Sequence, residues 1–132
     1  MRFGYLILIV ILLFLSGHVE AGEFSYTCEI IRVYDLSENG TLKTSGFEKH
    51  FKRSSFSVSR VTGQIIGEVV TTELAESIWV VNRGSTENSF KAVANFGKQF
   101  QILEVQEFRS IPKKPFVVMS MGGSGIITGF CK

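Results

Sequence analysis

FSVSRVTGQIIG (residues 56–67) decides how this chain is read. Phe56 and Val58 alternate with Ser57 and Ser59, the period-2 pattern of a half-buried strand. Thr62-Gly63 interrupts the pattern, and Ile65-Ile66 resumes it before Gly67. A phosphate-cradling loop would need its glycines between a strand and a helix, whose free N–H groups face the anion. The residues after Gly63 are QIIGEVV, which is strand-like, and no lysine stands at the position such a loop requires. VTGQ therefore reads as a hairpin connection, with Gly63 supplying a positive φ. Gly67 reads as a bulge or a point of close packing in the returning strand.

The same reading extends in both directions. In FSYTCEIIRVYDL (24–36), Tyr26, Cys28 and Ile30 share one face and Ile31 and Val33 the other, so the Ile30-Ile31 step predicts a change of face or a bulge. Asn39-Gly40 signals a hairpin turn. In NSFKAVANF, Phe90, Ala92, Ala94 and Phe96 share a face; in QFQILEVQEF, Phe100 and Ile102 hold one parity and Leu103 and Val105 the other. SIWVVNR, FVVMSM and GIITGFC complete the set, with SIPKKP as a loop and MGGSG (121–125) as a flexible hairpin connection. TTELAES is the one helix-like interruption, a single turn with Thr71 or Thr72 as its cap. About eight short strands with short links predict an all-β fold, a single antiparallel meander closing into a small barrel; the alternative is a two-layer β-sandwich.

The first residues stand apart from this fold. Arg2 precedes an uncharged apolar run (3–15) too short to span a bilayer comfortably, and Val19-Glu20-Ala21 presents a small residue for cleavage. Residues 1–21 are expected to be a signal peptide, leaving 22–132 as one domain in the periplasm or outside the cell, with no stable membrane anchor. Cleavage removes one basic residue, Arg2, and one acidic residue, Glu20, so the net charge stays at +2. That is too weak to argue for a nucleic-acid partner. Cys28 and Cys131 are then the cysteine pair of an exported chain, and a bridge between them would tie the terminal strands together.

From Phe56 onward the chain resembles a family of small exported bacterial proteins of uncharacterised activity. FSVSRVTGQIIG matches its F-x-V-x-R-x-T-G-x-x-x-G turn, GSTENSFK its G-S-x-x-N-S-F-K segment, and TGFC its closing T-G-x-C. Ser59 stands where family members often carry an acidic residue before the arginine. The resemblance implies export and a β fold, and it implies no activity.

The inventory for chemistry is small. His50 is the one histidine left after cleavage and Asp35 the one aspartate, and no G-x-S-x-G elbow occurs. One histidine and a bridged cysteine pair do not make a usual zinc set, so no metal or other cofactor is expected. Asn39-Gly40-Thr41 matches a glycosylation acceptor, and in a bacterium it is only the turn. The residues expected to meet a partner are Arg60 and the basic run Lys49, His50, Lys52 and Arg53. A lysine-rich strand edge, protected from pairing, is the simpler reading of that run. The function expected is a non-catalytic binding module, of an envelope or inhibitor type, for a protein or envelope component. The alternative is a carrier whose barrel interior, lined by Trp79, Phe90, Phe100 and Ile102, holds a small apolar ligand.

Overall fold

The computed structural model describes residues 24–121 and 125–132. The expected signal peptide, and most of the MGGSG connection, lie outside the described residues. The described chain is all-β: a curled antiparallel sheet that forms a half-barrel. Its strands are β1 (Ser25–Leu36), β2 (Leu42–Thr44), β3 (Ser55–Ser59), β4 (Ile65–Gly67), β5 (Ser77–Arg83), β6 (Phe90–Asn95), β7 (Phe100–Val105), β8 (Lys114–Met121) and β9 (Ile126–Cys131). The order across the sheet is β4-β3-β1-β9-β8-β7-β6-β5, with β2 also on β1. β5 to β9 form a meander. The first and last strands are neighbours, and Cys28 lies directly opposite Cys131 and is bonded to it.

β1 is the spine. On one side it pairs with β9; on the other, β3 pairs its first residues and β2 its last. Between those two partners its edge is covered by the β2–β3 connection. Ile30 N–H donates to Ser54 O, Arg53 N–H to Ile30 O, and Ser45 N–H to Val33 O. The remaining donor, Val33 N–H, is taken by the Glu48 carboxylate at 3.0 Å. A buried strand edge demands this full set of partners.

Glu48 opens a single helical turn, α1 (Glu48–Phe51), where a lysine-protected strand edge was expected. The turn lets Glu48 reach back to β1, which an extended segment would not. Conversely, TTELAES forms no helix. The Thr72 hydroxyl accepts from Ile65 N–H at 2.8 Å and completes β4, while the one hydrogen-bonded turn, Ala75 N–H to Thr72 O, is capped by Thr71, whose hydroxyl accepts from Glu73 N–H at 3.2 Å.

The register of β1 and β9 shifts between Ile30 and Arg32, which makes Ile31 the extra residue of a bulge. Ile30 and Val33 are both buried as a result, on either side of the predicted change of face. Gly129 sits opposite Ile30. A Cβ there would lie 1.9 Å from Glu29 O and 2.8 Å from the Phe116 ring, so no larger residue fits.

The concave face holds the core: Tyr26, Cys28, Phe56, Val58, Phe90, Leu103, Val105, Phe116 and Val118, among others. Edge-on aromatic pairs, Tyr26–Phe90 and Phe56–Phe116, tie strands that are not neighbours in the sheet.

The sheet opens between β4 and β5, which are its two ends. The β3–β4 turn lies across that opening. Gly63 has φ +77° as predicted, and a Cβ on it would touch Ile78, Ala92 and Val80. The opening is therefore closed by packing rather than by a backbone ladder. Gly67 is a close approach of the kind expected, with its missing Cβ 2.6 Å from that of Phe56.

Candidate binding surface

The expected ligand lining is not a lining. Phe90 faces the interior and is fully buried against Tyr26. Trp79 is 44% exposed and Phe100 42%, both on the convex side. Ile102 shares the convex face, in a transverse row with Trp79, Val93, Met119 and Ile126. The inward parity of β7 belongs to Leu103 and Val105. On the concave side a crevice among Gly63, Ile65, Thr72, Ala92 and Leu103 has no room for a water molecule.

Arg60 belongs to the opening. Its guanidinium lies 4.9 Å from the centre of the Tyr26 ring and donates to Arg83 O at 3.2 Å. The Tyr26 hydroxyl donates to the Glu107 carboxylate at 2.7 Å. Burial, and then this hydrogen bond, push the Tyr26 phenol well above its usual range. The charge of Arg60 thus links the end of the β3–β4 hairpin to the end of β5. It is a fastening across the opening.

The basic run is different. Lys49, His50, Lys52 and Arg53 are all exposed on and after α1. None of them has an ion pair among the described residues, where the one salt bridge is Arg32–Glu48 at 3.0 Å. The N–H of Val33 and then the Arg32 guanidinium hold the Glu48 carboxyl below its usual range. Phe47 and Phe51 stack beside these cations, ring centres 5.6 Å apart. His50 makes no side-chain hydrogen bond among the described residues, and no group of three metal-ligating side chains is found there.

A groove on the convex face escaped the sequence reading. Its larger part, about 460 Å³, has a floor of Ile31, Pro115, Val117, Thr128 and Phe130, with Arg32 on its rim. Through Ile31 and Phe130 it continues into a smaller part of about 180 Å³, flanked by Lys113, Lys132 and Glu29. Ile31, the extra residue of the bulge, lines both parts. Ser55, two residues after Arg53, lines the smaller part, so the groove and the α1 loop adjoin. The Ile30-Ile31 step was the signal for the bulge. Nothing local to the sequence placed Lys113 of the SIPKKP loop beside it, because that proximity comes from β8 pairing with β9 and β9 with β1.

Comparison of the chain with protein-family models, with curated proteins and with solved structures finds no match in any of the three.

Proposed function

We propose that this chain is an exported, non-catalytic binding module that takes an acidic segment of a partner protein along the convex groove. The observation that carries the reading is the groove itself, an apolar floor of Ile31, Val117 and Phe130 with two cations, Lys113 and Lys132, against the single acid Glu29, and with Arg32, paired to Glu48, on the rim. An aliphatic or aromatic side chain flanked by carboxylates matches that arrangement. The packed concave face favours recognition from outside over an enclosed ligand. The buried Cys28–Cys131 disulfide suits an oxidising compartment.

Peptides selected on the purified protein from a random displayed library test this. The expected binders carry acidic residues beside one apolar anchor, perturb the amide signals of Ile31, Val117 and Phe130, and are lost with Val117→Glu. Binders that instead perturb the β4–β5 opening, or that survive Val117→Glu, would overturn the reading.

A further inference from the structure

We propose that the α1 loop is a second, separate binding site, which docks this protein reversibly on a bilayer rich in anionic lipid. The proposal does not depend on the convex groove having a protein partner. Three observations converge on the segment from Phe47 to Arg53.

The charges are concentrated, and of the four only Lys52 is drawn on by a neighbouring acid, Glu48, which already pairs with Arg32. Lys49, His50, Lys52 and Arg53 stand within five residues, all exposed, and the one acid among them, Glu48, is turned inward to Arg32 and Val33 N–H. The net charge of +2 hides this local excess. Next to it lies apolar surface. Phe47 is 62% exposed and stacks on Phe51. A soluble polyanion would leave that ring in water, whereas a bilayer interface takes the cations at its phosphates and the ring at the acyl boundary.

The third observation is backbone strain. Arg53 has φ +70°, the one non-glycine residue at positive φ among the described residues. Glycine adopts that conformation freely and an arginine does not. The structural duty at this position is the backbone N–H donated to Ile30 O, which glycine would perform equally well. The arginine side chain adds no hydrogen bond or ion pair to the fold among the described residues. The strain is thus borne for a side chain that points to solvent, which is the pattern of a functional position.

Sedimentation with vesicles tests the proposal, using protein recovered from an exporting host and its N-terminus read by mass spectrometry. Parent and variants share that N-terminus, so differences between them report the loop. The parent is expected to bind vesicles of equal parts phosphatidylglycerol and phosphatidylcholine at about 0.1 M salt. It should ignore pure phosphatidylcholine, and it should be released near 1 M salt, where screening acts within about 3 Å. Each removed cation should weaken binding about fivefold, so Lys49→Gln/Lys52→Gln/Arg53→Gln should lose about a hundredfold.

Phe47→Ser should weaken binding without changing its salt dependence. Arg53→Gly is the decisive variant. It should bind vesicles about fivefold less tightly while melting at a higher temperature than the parent, a combination that damage to the fold cannot produce. Equal binding to both vesicle types, unchanged binding by the triple variant, or retention on heparin without vesicle binding would each overturn the proposal.

Discussion

The curled sheet has two junctions that hold its shape, and they are built on opposite principles. At the β1–β9 seam the first and last strands share a backbone ladder, a disulfide and a glycine that nothing can replace. At the β4–β5 opening no ladder forms, and the closure rests on Gly63 packing against Ile78 and Val80, on Thr72, and on Arg60 reaching Arg83 O. β4, three residues long, spends its pairing on β3, and the seven residues of β5 pair only with β6. The seam therefore resists as one unit, whereas the opening is a set of separable contacts. Local opening should begin there.

Breaking the seam covalently should have the largest effect. Replacing Cys28 and Cys131 together with alanine should lower unfolding stability by about 4–5 kcal/mol, the cost of freeing so long a loop in the unfolded chain. Denaturant titration of the double variant reads this directly. Gly129→Ala attacks the same seam sterically. With its Cβ against Glu29 O, it should cost about 3 kcal/mol or more. Its loss should also appear as faster amide exchange in β1 and β9.

The opening should give way in smaller steps. Thr72→Val keeps the shape but leaves Ile65 N–H without its acceptor, a cost of about 1–3 kcal/mol. Amide exchange should accelerate in β4 before it does in β8. Arg60→Ala removes the cation over Tyr26 and the donor to Arg83 O, worth together about 1 kcal/mol. If its exchange protection falls equally in β5 and in β9, the two junctions are one cooperative unit and the contrast fails.

The smallest effect is the pH dependence of Glu48, on the edge of β1. Its carboxyl is lowered from 4.5 by Val33 N–H and Arg32. A depressed carboxylate contributes stability that is complete above its unfolded value and is lost as pH falls through the lower folded value. The gap in melting temperature between the parent and Glu48→Gln should therefore be constant near neutral pH and close only below about 4.5. A gap that closes at higher pH would assign the effect to another group.

Much of this architecture was legible before any coordinates. Period-2 alternation marked the strands, Asn39-Gly40 and Thr62-Gly63 marked turns, and the Ile30-Ile31 step marked the bulge, because each of these depends on a few neighbouring residues. The α1 turn was missed for the opposite reason. EKHFKR carries no helical period of its own, and Glu48 curls the backbone because β1 has an unpaired N–H beside it. The face of β7 was equally undecidable. Phe100 and Ile102 are as apolar as Leu103 and Val105, and which pair turns inward depends on where β6 and β8 place the core.

By itself, then, the sequence determined an antiparallel all-β chain, its turns, its glycine positions and the cysteine pair, all set by local sterics and side-chain periodicity. Tertiary structure alone decided that the sheet opens between β4 and β5, that Arg60 fastens that opening, and that Lys113 and Lys132 flank a groove beside Phe130. None of the three follows from neighbouring residues: the first two rest on the pairing of β1 with β9, which joins the β3–β4 end of the sheet to the β5–β9 meander, and the third on β9 pairing with both β8 and β1.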